Sequence, residues 1–184
     1  QSANSVLEII GEKAFYECKS LSEVTFIRKN CSIPDEAFAL CSNLQSINIE
    51  GNNITIGNKA FLSCTSLKSL TFEGNNVSLG YYSFSSCTNI INLSIAGNIS
   101  SIGIRAFEYC TNLRNLKFQR KDISMDQESF VLCTNLRNII IEGKEITTES
   151  RVFSKCENIT NISIKGENLN IKKEMFYLNR YISN

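Results

Sequence analysis

One pattern of apolar positions recurs along the whole chain. Phenylalanine stands at Phe15, Phe38, Phe61, Phe84, Phe107, Phe130, Phe153 and Phe176, each 23 residues from the last with no insertion or deletion. Three residues after these come Cys18, Cys41, Cys64, Cys87, Cys110, Cys133 and Cys156, until Asn179 breaks the column. Three further on are Leu21, Leu44, Leu67, Ile90, Leu113, Leu136 and Ile159. A pair of apolar residues separated by one outward position follows, from Val24 and Phe26 to Ile162 and Ile164, and alternates as a strand does. Five residues before the phenylalanines lie Ile10, Ile33, Ile56, Leu79, Ile102, Met125 and Ile171, with Thr148 the one lapse, and Gly11, Gly57, Gly80 and Gly103 mark a turn just after.

A 23-residue unit with this little apolar surface cannot bury its own inner side. Stacking units in register closes the core and sets like residues on like, at about 4.8 Å per strand of a parallel sheet. The pattern therefore predicts a solenoid with seven strands, a short extended edge at each I-x-[IL]-G segment, and an irregular or one-turn helical segment at each A-F-x-x-C, which is too short for more. Residues 1–184 read as a single domain of about eight units with no interdomain linker. Ser2 to Gly11 already reads as half a unit and no polar capping unit is visible, so a fragment of a longer array is expected.

The run Ile56-Gly57-Asn58-Lys59-Ala60-Phe61-Leu62-Ser63-Cys64-Thr65-Ser66-Leu67-Lys68-Ser69-Leu70-Thr71-Phe72 resembles the repeat of BspA-like leucine-rich-repeat proteins of bacteria and parasitic protists. The resemblance spans nearly the whole chain. It implies a curved leucine-rich-repeat solenoid with a parallel β-sheet on its concave face, often part of a longer surface protein, and roles in attachment to host or matrix proteins. It names no ligand, because one repeat scaffold serves many partners.

Composition narrows the chemistry. Nineteen basic and 18 acidic side chains leave a net charge of +1, which gives no field to attract nucleic acid. No apolar run approaches the ~18 to 20 residues that span a bilayer, so no membrane insertion is expected in this segment. Histidine is absent, which removes Ser-His-Asp and Cys-His catalysis, and a thiol buried among Phe and Leu is a poor nucleophile. Seven cysteines are ladder positions facing the core, and Cys31 takes the place held by Ile54, Val77, Ile123, Ile146 and Leu169 in other units; all eight read as small buried hydrophobes with free thiols. Without a C-x-x-C pair or any histidine, neither metal nor cofactor is expected. Glu50, Glu73 and Glu142 share one position just after the strand and read as solvated charges. An enzyme is not expected.

Binding surfaces follow from the unit. Between the core positions of each strand, Glu23, Ser46, Ser69, Asn92, Asn115, Asn138 and Asn161 form one outward row, and Thr25, Asn48, Thr71, Ser94, Lys117, Ile140 and Ser163 the next. Ser46 to Ser163 along these rows are the candidate ligand-binding residues of the concave face, rich in amides and hydroxyls, with Ile140 and the nearby Ile91 as apolar exceptions. Tyr81, Tyr82 and Ile104 form a second candidate patch on the opposite edge. Arg105, Arg114, Lys117, Arg120, Lys121 and Arg137, diluted by acids, read as a solvated face. N-x-[ST] sequons at Asn30, Asn53, Asn76, Asn92, Asn98, Asn158 and Asn161 are weak support for secretion. Asn43, Asn89, Asn112, Asn135 and Asn158 are expected to stack as a partial asparagine ladder that satisfies backbone groups at the bend.

The expected function is a non-enzymatic adhesion module, at the cell surface or secreted, binding a host or matrix protein or a glycan. The alternative is an intracellular, cytoplasmic protein-interaction scaffold of the same fold, which abundant free thiols favour. End-to-end self-association through unpaired strand edges is a further partner expectation.

Overall fold

The computed structural model describes residues 10–27, 29–119 and 122–179. Each unit contributes two short strands. The first strands are β1 (Glu23–Ile27), β3 (Ser46–Glu50), β5 (Ser69–Glu73), β7 (Asn92–Ile95), β9 (Asn115–Gln119), β11 (Asn138–Glu142) and β13 (Asn161–Lys165). The second strands are β2 (Asn30–Ile33), β4 (Asn53–Ile56), β6 (Asn76–Leu79), β8 (Asn98–Ile102), β10 (Asp122–Met125), β12 (Glu145–Thr148) and β14 (Asn168–Ile171). The odd strands pair in chain order as one seven-stranded parallel sheet and the even strands as another. The extended edge expected from the sequence is thus a full second sheet, and no helix occurs among the described residues.

The A-F-x-x-C segments form a third hydrogen-bonded column, built from turns. In the first unit the Lys13, Phe15 and Glu17 N–H groups donate to the Asp35, Ala37 and Ala39 carbonyls of the next unit, while those of Ala14, Tyr16 and Cys18 donate three residues back. The same alternation recurs along the column, as at Lys59, Phe61 and Ser63. It requires left-handed backbone two residues before and two after each phenylalanine. From Lys13 (φ 56°) and Glu17 (φ 56°) to Glu174 (φ 62°) and Leu178 (φ 59°), these positions are non-glycine throughout. Each such residue costs about 1 to 2 kcal/mol in backbone strain. Along most of the column the bond that its N–H makes to the next unit offsets that cost.

The core runs between the three columns as stacked rungs. Successive phenylalanine rings from Phe15 to Phe176 lie 5.0 to 5.5 Å apart, close to parallel. Phe26, Phe72 and Phe118 meet this column from the first sheet. Thr148, the polar lapse in an apolar column, is fully buried, and its hydroxyl accepts from the Lys172 N–H at 3.2 Å. Cysteine fits its column because the thiol is small and has one weak donor to place. The Cys41 Sγ donates to the Phe15 carbonyl at 3.0 Å, and Cys64, Cys87, Cys110, Cys133 and Cys156 repeat the bond to the Phe of the preceding unit at 3.1 to 3.3 Å. Cys18 departs from the expectation for all eight: in the first described unit it is only half-buried. Asn179 also has a physical explanation. Its Nδ2 donates to the Phe153 carbonyl at 2.9 Å, the bond that cysteine makes elsewhere.

Candidate functional site

The outward rows of the first sheet assemble as the strand alternation requires. Ser69, Asn92, Asn115, Asn138 and Asn161 are register partners along one row, and Thr71, Ser94, Lys117, Ile140 and Ser163 along the next, with Ser46 and Asn48 extending the rows on β3. All project from the face opposite the core. Four of the amides are joined: Asn115 Nδ2 donates to Asn92 Oδ1 at 2.7 Å, Asn138 to Asn115 at 2.6 Å, and Asn161 to Asn138 at 2.7 Å. Each interior amide of this chain keeps one N–H and one lone pair for an outside partner. The side chains are already ordered, so a ligand meeting them has less conformational entropy to remove. Ile140 is 37% exposed between Lys117 and Ser163, an apolar point in the polar row.

The edge patch is also assembled. Tyr81 and Ile104 occupy the same position in adjacent units and are 53% and 37% exposed. Tyr82 is half-buried, and its hydroxyl accepts from Arg105 Nη1 at 3.4 Å. Two Arg105 nitrogens in turn reach Glu128 Oε2 at 2.6 and 2.7 Å, a bond that holds the guanidinium pKa above its ordinary value. Apart from Tyr82, this column alternates in charge from unit to unit, and Lys13 on Glu36 and Arg151 on Glu174 make the same tie. Arg105 therefore belongs to a lateral lock between units. Arg120 and Lys121 of the expected basic face lie outside the described residues.

Other candidate groups are accounted for structurally. Burial pushes the Cys41 thiol up to about 11 and Cys110 up to about 12, leaving little thiolate at neutral pH. Glu50 and Glu73 are register partners, and Glu50 accepts from Asn48 at 3.0 Å. Glu142 accepts from Gln119 and Lys165, in that order of effect, and its pKa is lowered. The asparagines of the bend mostly bond backbone: Asn43, Asn135 and Asn158 donate to the Lys19, Thr111 and Thr134 carbonyls, and only Asn112 to Asn89 is amide to amide. The longer amide ladder lies on the first sheet, at positions read from the sequence as ligand contacts. Of the sequon asparagines, Asn53 and Asn76 are tied in a second ladder that begins at Asn30.

Sequence reasoning missed the outer face of the second sheet. Its rows run from Asn30 to Asn168 and from Ser32 to Asn170, and a bulge interrupts them at β8. Val77 pairs with Ile99 but Ser78 with Ser101, so Ser100 is an extra residue. The signal was available: Ile99 stands one place earlier in its unit than the apolar residue of its neighbours.

The profile of the BspA type leucine-rich repeat region matches residues 2–95 and 77–184, in six copies. No curated protein sequence matches significantly. Among solved structures, a leucine rich cell surface protein from Faecalibacterium prausnitzii superposes with a TM-score of 0.63 at 19% identity, over 86% of this chain and 42% of the neighbour. This chain thus spans less than half of that protein's length. A leucine-rich repeat protein from Bacteroides ovatus aligns over 88% of this chain and 77% of its own at 16% identity, with a TM-score of 0.34.

Proposed function

Since the chain belongs to the BspA-type leucine-rich-repeat family, we propose that it is a non-enzymatic binding module of a cell-surface or secreted protein, and that its ligand is a host or matrix protein or a glycan. In this reading residues 1–184 are one solenoid segment of a longer array. The observation that carries the proposal is the hydrogen-bonded amide row Asn92, Asn115, Asn138 and Asn161, a fixed series of donors and acceptors on an outward face. Rigid solenoid surfaces of this kind suit extended partners. The F. prausnitzii neighbour's description as a cell surface protein supports display outside the cell. The Tyr81 and Ile104 patch is the second contact proposed.

The test is direct binding of purified extracellular-matrix proteins and neutral glycans to the intact chain and to a variant carrying Asn92→Asp, Asn115→Asp and Asn138→Asp. Saturable binding that the variant loses while keeping its fold supports the first-sheet reading. Binding lost only in a Tyr81→Ser and Tyr82→Ser variant assigns the edge patch. If none of these ligands binds, the extracellular reading gives way to the intracellular scaffold, which the row of buried free thiols favours.

A further inference from the structure

The two sheets differ in one respect outside the core. In the second sheet the amide ladder ends where the bulge begins: Asn76 donates to Asn53 and Asn53 to Asn30, but Asn98 at the start of β8 does not continue it. Past the bulge the corresponding positions are Asp122 and Glu145, register partners one strand apart, which accept hydrogen bonds but have none to donate. Beside the bulge the outer face opens into a shallow groove of about 190 Å³, lined by Asn98, Ser100, Asp122, Ser124, Glu145 and Thr147 among others. None of these six side chains has a hydrogen-bond or ion-pair partner among the described residues. Bulges of this kind re-aim side chains and recur next to functional sites.

From this arrangement we infer that the groove at β8, β10 and β12 is a binding site for a hydroxyl-rich, uncharged saccharide unit. The chemistry selects the class. Acceptors outnumber donors, so the ligand must bring several donors to a small area, as adjacent sugar hydroxyls do toward a carboxylate. Among the described residues nothing cationic lines the groove, and its two carboxylates repel phosphate, sulfate and uronate groups. The apolar lining, Ile99 and Ile123, is buried and offers a peptide no anchoring pocket. No group of three or more His, Cys, Asp or Glu side chains converges there to hold a metal ion among the described residues. The volume lies below the roughly 300 to 1,000 Å³ of closed small-molecule sites, which suits a single sugar unit held weakly and, in a polymer, repeatedly.

This surface is separate from the first-sheet face, so variants of the two faces tell the two sites apart. The experiment is affinity electrophoresis of the whole chain through gels containing a neutral β-glucan, galactomannan or α-glucan, with heparin and polygalacturonate as anionic controls. The variants are Asp122→Ala with Glu145→Ala, Ser124→Trp to fill the groove without altering charge, and the triple Asn→Asp change on the first sheet, each checked for fold by circular dichroism. Retardation by a neutral polysaccharide that the first two variants weaken at least about tenfold, and the third leaves unchanged, is the expected result. The inference is overturned by no retardation in any neutral gel, by retardation that the groove variants retain or the first-sheet variant loses, by retardation in anionic gels alone, or by saturable calcium binding in place of sugar.

Discussion

At the scale of single residues, each rung position has one physical requirement, and several substitutions test it. Phe84 stacks on Phe61 and Phe107 at 5.1 and 5.3 Å and meets Phe72 edge-on, so Phe84→Ala opens a cavity in the middle of the column. Urea denaturation should show a loss of about 3 to 5 kcal/mol. Asn179 keeps the donor of the cysteine column but leaves its Oδ1 buried and unbonded. Asn179→Cys should therefore stabilise the chain by about 1 kcal/mol, since it keeps a donor and removes the stranded acceptor. The thiols also set an alkaline limit. Cys110 has a folded pKa of about 12 against 9.0 for the free group, so the unfolded state releases its proton first as pH rises. Stability is then fully present below about pH 9 and falls between 9 and 12, by about 1.4 kcal/mol per pH unit for one such thiol. In Cys110→Ala the same plot of stability against pH should be shallower by that amount.

At the scale of elements, legibility depended on whether a position is defined by its side chain or by its backbone. Columns of Phe, Cys and alternating aliphatics are side-chain requirements, and they gave the unit length, the inward positions of both strands and the outward rows directly. The turn column was legible only as irregular chain, without its pairing or its backbone angles. Its left-handed positions are filled by Lys, Glu, Leu, Ser, Tyr and Arg, never glycine, because the hydrogen bond to the next unit fixes the backbone whatever the side chain. The second sheet was read only as an edge because four residues carry a weak strand signal until neighbouring copies pair with them. The outward asparagine rows were legible as polar surface, but their bonding to one another follows from strand register, which composition does not report. The β8 bulge has its own requirement. The shortened connection after β7 brings Gly97 so close to Gly74 that a Cβ would collide with the Gly74 carbonyl oxygen. Gly97→Ala should cost about 2 to 4 kcal/mol in thermal or urea unfolding, whereas alanine at Gly11, whose added Cβ would meet nothing within 4 Å among the described residues, should cost well under that.

At the scale of the whole molecule, contacts join each unit chiefly to its two neighbours, and side-chain ties across the stack span 23 to 26 residues of sequence. Stability is then close to a sum over units and interfaces. Deleting residues 35–57, one full period, brings every ladder back into register. The shortened chain should fold with the same circular dichroism shape, a lower melting temperature and a urea m-value reduced by about an eighth, in proportion to the surface lost. A deletion of 20 or 26 residues from the same place should not fold, because it sets polar residues on the core columns.

The neighbour-only bonding has a mechanical side. Under tension along its axis the solenoid is a row of links in series, every link carrying the same load, so the weakest interface yields first and the rest hold. Each unit that peels away releases its 23 residues as about 80 Å of slack chain, dropping the force on the remainder before the next gives. A tether built this way lengthens in steps under a pull and re-forms unit by unit when the load is removed, with its surviving faces intact throughout.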